Sequence, residues 1–269
     1  MKKHSFLLLV LTLFLTACEE VFEYHPNQIR LNDSELGLTA RNVEKIRQQN
    51  PDDTVRIVVM GDTQRFYDSA EKFVKAANKL KNIDFVMHQG DISDFGMTQE
   101  FRWVHDIMKN LRFPYLTVIG NHDLLANGKK VYQQMYGDLN YSFVYGQVKF
   151  IFLDTNGREY DFNGIVPDIT WLQAQLAHTP ESDWQQAVIV SHMSPFGGDY
   201  DSRLSIPFQQ TLEQSGRVHL SLHGHEHNWQ TIEQEASDIT YHITTSTNNR
   251  GFSYVEIWNG GFRIKRIHY

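Results

Sequence analysis

Short apolar runs rich in β-branched residues recur along the chain, and each ends abruptly in polar residues. Residues 55–60, 83–88, 115–119, 187–190 and 218–222 read as buried strands by length and composition. The first runs into Gly61-Asp62-Thr63-Gln64, the second into Gln89-Gly90-Asp91, and the third into Gly120-Asn121-His122-Asp123. The fourth ends at Ser191-His192 and the fifth at His223-Gly224-His225-Glu226-His227. Between the early runs the apolar period changes to that of a helix. Residues 69–81 carry Phe73, Val74, Ala77 and Leu80, and residues 98–111 carry Phe101, Val104, Ile107 and Met108. An earlier helix is expected over 39–49, capped by Thr39, with Val43 and Ile46 on its apolar side and Pro51 stopping it. Thr98 is the expected cap of the helix that follows it. Strand, helix, strand, helix, strand implies a parallel sheet with right-handed crossovers.

The pattern changes beyond Asp123. Residues 129–136 have helical spacing, and 141–145 with 147–154 read as a hairpin about Gly146. Residues 156–167 are polar and contain glycine, a loop long enough to reach a site. Asp168 is placed to cap a helix with Trp171, Leu172 and Leu176, and a further helix is expected over 206–214. Strands then dominate, over 241–245, 252–258 and 262–268, the last two joined at Asn259-Gly260. The expectation is an α/β protein with an early parallel half and a late, mostly antiparallel half.

Five strand ends thus deliver Asp, Asp, Asn-His, His and His-x-His. In α/β sheets such ends meet along one edge, where ligands bind. Carboxylate, amide oxygen and imidazole together suit two adjacent first-row divalent ions. Length and charge narrow the picture further. A chain of 269 residues can bury one large core. Its 25 Lys and Arg against 32 Asp and Glu leave no basic footprint for nucleic acid. The N-terminus has a basic start, an apolar run over 6–15 and small residues before Cys18, the single cysteine. That is a signal-peptide pattern, too short to span a membrane as a helix. Leu15-Thr16-Ala17-Cys18 resembles a bacterial lipobox, which implies cleavage after residue 17 and lipidation of Cys18. Several acyl chains anchor stably, each buried methylene contributing about 0.8 kcal/mol. The domain would then sit in the cell envelope, outside the cytoplasm. Glu19, Glu20 and Glu23 make the tether acidic, as a plain solvated linker would be, and only loosely like some lipoproteins of the outer membrane's outer face.

The order of strand-end motifs resembles the calcineurin-like metallophosphoesterase superfamily, whose pattern runs D-x-H, G-D, G-N-H-[DE], H and G-H-x-H. The resemblance covers roughly residues 55–230. It implies a two-sheet α/β sandwich with flanking helices, two divalent ions such as Mn, Fe or Zn at the strand ends, and hydrolysis of phosphomonoesters or phosphodiesters. The predicted organisation is a signal peptide over 1–17, a lipid-anchored tether and short helix over 18–50, and a metallophosphoesterase domain over 51–269. Two ions about 3.5–4 Å apart clamp the attacking and leaving oxygens and generate a hydroxide near neutral pH. The resemblance makes Asp91 the carboxylate shared by both ions. Asp62 and His227 hold the first ion, and Asn121, His192 and His225 the second.

Position 64 departs from the pattern, with Gln where His is commonest. Three roles are open to Gln64: an oxygen ligand, a hydrogen-bond partner of a water on the ion, or the mark of a weak first site. His122 is the non-ligating histidine that the resemblance places on the leaving-group side, with Asp123 as its orienting carboxylate. His223 reads as a neighbour of the ligands, Asp94 as a turn carboxylate, and His88 and His105 as structural. Asn156, Arg158 and Arg203 lie in polar breaks and are the candidates for gripping substrate, arginine being suited to bidentate phosphate contacts. The competing reading is a catalytically degenerate lipoprotein of the same fold that binds a phosphorylated ligand. A metallo-β-lactamase-type hydrolase needs H-x-H-x-D-H early in the chain, and no G-x-S-x-G or P-loop signature is present.

Overall fold

The structure is a computed structural model and describes residues 25, 27–235 and 237–269. The expected signal peptide, Cys18 and the acidic start of the tether lie outside these residues. Among the described residues eleven strands form two sheets. The first has the order β11-β10-β1-β2-β3, from Gly261–His268, Gly251–Trp258, Thr54–Met60, Phe85–His88 and Tyr115–Thr117. The second has the order β4-β5-β6-β7-β9-β8, from Tyr141–Tyr145, Val148–Leu153, Gln186–Ser191, Val218–His223, Ser237–Ile243 and Gln230–Gln234.

Alternation along the strands sorts side chains between layers. Val55, Ile57 and Val59 of β1, with Phe85 and Met87 of β2, point between the sheets. There they meet Phe150 and Phe152 of β5, Val188 and Val190 of β6, and Leu220 and Leu222 of β7. The intervening residues Val58, Met60 and Val86 turn the other way. They pack on helices α2 (Tyr67–Ala77), α3 (Thr98–Met108) and α4 (Gly128–Met135) through Phe73, Phe101, Val104 and Val131. Ile151, Leu153 and Ile189 cover the outer face of the second sheet with Leu172 of α5 (Ile169–Leu176) and Phe208 and Leu212 of α6 (Ser202–Ser215). The first helix, α1 (Leu38–Arg47), joins the inter-sheet core through Val43 and Ile46. The result is an α/β/β/α sandwich, with inner strands such as β2, β5 and β6 buried on both faces and therefore largely apolar. No helix among the described residues is long and apolar enough to cross a membrane.

The late half is not mostly antiparallel. β5, β6, β7 and β9 run parallel, and antiparallel pairing is confined to β4 and β8 at the edges of this sheet. The C-terminal hairpin of β10 and β11 leaves that sheet and pairs antiparallel with β1. Consequently the C-terminal ends of β1 and β2 from one sheet, and of β6 and β7 from the other, open onto the same side of the sandwich, tied by the bridge from Gly61 to Ser246. Two caps also differ. Gly37, in the left-handed region, precedes α1 in place of Thr39. Glu100 accepts the Met97 and Phe95 N–H groups ahead of α3, while the Thr98 hydroxyl donates to the Gln28 carbonyl. Asp168 caps α5 as expected, accepting the Trp171 N–H.

Candidate metal centre

The loops after the strands are held in conformations that side-chain-bearing residues rarely adopt. Of eleven non-glycine residues with positive φ among the described residues, five are Asp62, Gln64, Asp91, His225 and His227. Such residues cost roughly 1–3 kcal/mol each and concentrate where function over-determines the backbone. Main-chain bonds fasten the loops together. Asp62 N donates to Gly90 O, Thr63 N and Gln64 N to Asp91 O, and Gly224 N to His192 O. Gly120 is required by close approach, since a Cβ there would collide with the Asp91 backbone N and carboxylate. A Gly120→Ala variant is therefore expected to fold with a displaced Asp91 and to lose metal and activity together. Metal content near that of the native protein, measured by elemental analysis, would refute this.

Two groups of donors gather at the sheet edge. Asp91, His192 and His225 form one, and Asp62, Asp91 and His227 the other, with the donor atoms of each within 4.8 Å of one another. Asn121 belongs with the first group. Its Oδ1 is 3.0 Å from His192 Nε2 and 3.1 Å from His225 Nδ1. His192 Nε2 is in turn 3.3 Å from His225 Nδ1 and 3.4 Å from Asp91 Oδ1. Spacings of this size are those of donor atoms around one ion at about 2.0–2.2 Å. In the second group Asp62 is buried, and neither of its carboxylate oxygens has a hydrogen-bond partner. His227 Nε2 lies 2.7 Å from Asp62 Oδ2 but without hydrogen-bond alignment. A buried carboxylate met only by one imidazole, which it favours in the charged form, is costly unless a cation meets it too. The donor set and the under-satisfied Asp62 carboxylate both fit divalent ions.

The protonation pattern agrees. Burial alone would push the His192 imidazole down, but the adjoining Asp91 carboxylate outweighs it and raises it to about 10. Burial likewise favours the neutral form of Asp91, yet His192 holds its carboxyl down at about 2. Asp91 and His192 thus favour each other's charged form, and an ion ligated there would take the place of the His192 proton. His192 Nδ1 donates to the Gln89 carbonyl (2.6 Å), which fixes the ring and turns Nε2 toward Asn121 and Asp91. His88 is buried and pins the Asp91 loop, its Nε2 3.0 Å from Thr63 Oγ1 and its Nδ1 accepting the Gly90 N–H. Burial pushes that imidazole down to about 3, so it stays neutral.

Several side chains sit differently from their expected roles. Gln64 reaches the cluster, where its Nε2 donates to Asp91 Oδ2 (3.0 Å). Asp123 does not touch the His122 ring. It is fully buried and accepts from Ile92 N, Ser93 N, Ser93 Oγ and Gly120 N, tying the Asp91 loop to the Asn121 loop. Burial and the Asp91 charge push its carboxyl up to about 6. Asp94 orients His122 instead: its main-chain oxygen accepts from Nδ1 (2.8 Å), and its Oδ1 lies 3.6 Å from the same nitrogen. His122 Nε2 is left for chemistry, on a ring that is one-third exposed. Asn156 is buried and donates to the Ile119 carbonyl and Asp154, so it cannot grip substrate. Arg203 is bound to Asp201, the cap of its own helix, and Arg158 to Asp199. His223 lies beside the ligands, its Nδ1 3.0 Å from Ser191 Oγ. The sequence signal for Asp94, a carboxylate three residues after Asp91, was present but ambiguous. None distinguished His88 as a loop pin.

A family model described as calcineurin-like phosphoesterase matches residues 55–229. The chain belongs to this family. Calcineurin-like phosphoesterases work with two metal ions, and the residues able to hold them are those assembled here. A probable cyclic nucleotide phosphodiesterase of Fibrobacter succinogenes is 25% identical over 205 residues, covering 70% of this chain and 76% of that protein. A probable glycerophosphodiester phosphodiesterase, GpdQ, of Arcobacter nitrofigilis is 29% identical over 111 residues, covering 39% of this chain and 41% of that protein. A dimetal phosphatase from Danio rerio shares the fold with a TM-score of 0.67 at 13% identity, covering 81% of this chain and 97% of that one. Together the family and its architecture make this protein a phosphoric ester hydrolase.

Proposed function

We propose that the protein is an envelope-anchored phosphodiesterase that hydrolyses small phosphodiesters with two divalent ions. The observation that carries the reading is that Asp91 belongs to both donor groups. Asp62, Asp91 and His227 would hold the first ion, and Asp91, Asn121, His192 and His225 the second. Ions held there would supply charge neutralisation for the phosphate and a water nucleophile available near neutral pH. The chain's own residues then orient and donate. Gln64 steadies Asp91 by its hydrogen bond. His122, with Nδ1–H committed to the Asp94 carbonyl, turns Nε2 to the departing oxygen and donates a proton there when the ring is an imidazolium. Phosphodiesters are preferred over monoesters because the curated relatives above are named as phosphodiesterases. The test is kcat/KM for bis(4-nitrophenyl) phosphate and 4-nitrophenyl phosphate with Mn, Fe, Zn, Mg and Ca. Faster turnover of the diester is expected. A faster monoester would reverse the preference, and turnover of neither would favour a degenerate ligand-binding protein.

The anchoring part of the reading rests on Leu15-Thr16-Ala17-Cys18. Cys18→Ala is expected to release the protein from the membrane fraction or to stall its processing. Unchanged fractionation with normal acyl labelling would end that part of the proposal.

A further inference from the structure

We infer that Asp199 is a positioning residue for the second metal site, fixing His225 through the ring nitrogen that faces away from the ion. The inference rests on the ligand set proposed above. His225 Nδ1 faces Asn121 Oδ1 and His192 Nε2, at 3.1 and 3.3 Å. Its other nitrogen, Nε2, lies 3.3 Å from Asp199 Oδ2. A histidine that ligates through Nδ1 must carry its proton on Nε2. The contact is an ion-pair distance without hydrogen-bond alignment, but a carboxylate closing on Nε2 would select that tautomer, hold the ring plane and make the ligating nitrogen more basic. His225 needs such a hold, because it sits at a φ of 69° on the turn after β7.

Asp199 is itself fastened. Its Oδ1 accepts from Arg158 Nη1 (3.1 Å), and its main-chain oxygen accepts from Arg158 N (3.1 Å). The segment of Arg158, the short turn Gly157–Tyr160, is pressed against the same loop, since a Cβ on Gly157 would lie 2.6 Å from Asp201 N. Three segments far apart in sequence thus converge as Arg158, Asp199 and His225. This gives Arg158 a task other than gripping phosphate, namely aiming the carboxylate that aims the ligand. An exposed ion pair by itself contributes little to stability, so the effect belongs in metal affinity and not in the melting temperature.

The test is a Zn²⁺ titration of the full metal-free chain against a competing chelator, resolving the two binding steps. Asp199→Ala is expected to weaken one step by about 10–100-fold, the usual loss when an outer partner of a ligand is removed. The other step should stay unchanged. Asp199→Asn is isosteric and still accepts from Nε2–H, so it should lose less than the alanine variant. His225→Ala should abolish the same step. If His225→Ala removes a step while both Asp199 variants bind like the native chain, the inference is overturned and the ligand set stands. If His225→Ala leaves both steps intact, the ligand set falls and the inference with it.

Discussion

Asp91→Asn is expected to leave the fold in place and to remove nearly all activity. Asparagine matches the shape of aspartate and can still accept the His122 N–H at Oδ1, a bond of 3.0 Å in the native site. What it lacks is the negative charge at the point shared by both donor groups. That charge faces His192 and favours the charged form of its imidazole. In the loaded protein it would face two ions. A paired metal centre supplies several kcal/mol of charge stabilisation to the transition state, so its loss should cost on the order of 10³-fold in kcat/KM. Metal content should fall toward one ion or none. Elemental analysis with kinetics on an aryl diester checks both. Two ions retained with turnover intact would show that Asp91 does not join the sites.

His122→Ala should keep its metals and lose activity in a way that depends on the ester. The ring is fixed by the Asp94 main-chain oxygen at Nδ1, which leaves Nε2 to meet the departing oxygen. General acid help is worth about 10²–10⁴ in rate when the leaving group needs a proton. Esters of alkyl alcohols should therefore suffer the full loss. A nitrophenolate leaves readily as an anion and should suffer much less. Plotting kcat/KM against leaving-group pKa for both proteins decides the matter. Parallel lines would rule out proton donation and leave His122 as a residue that positions phosphate.

The candidate ligands were legible because each ends an apolar run, and buried parallel strands admit few polar residues until they emerge. Asp62, Asp91, Asn121, His192, His225 and His227 all sit where a strand ends, and the structure brings them together. Sheet membership was not legible. Alternation marks a strand but not its neighbour, so β9 beside β7 and β10 beside β1 are facts of tertiary packing. The same limit applied to Asp123. Adjacency to His122 suggested an orienting carboxylate, whereas its oxygens serve the backbone of a loop some thirty residues away. Asn156 lay in a polar stretch and read as a surface residue, yet burial gives it the work of satisfying the Ile119 carbonyl. Thr39 and Thr98 were reasonable caps by residue type. Propensity yielded at the first to Gly37 and at the second to Glu100, which takes the N–H groups ahead of α3.

The central claim is that this chain hydrolyses phosphate esters by means of two divalent ions held between Asp62, Asp91, Asn121, His192, His225 and His227. The most direct measurement is turnover of bis(4-nitrophenyl) phosphate by metal-stripped protein as a divalent ion is added back, with bound metal counted in parallel. Turnover should be absent without metal, rise with loading and level off at two ions per chain. Full turnover by the stripped protein, or none with both sites filled, would contradict the account.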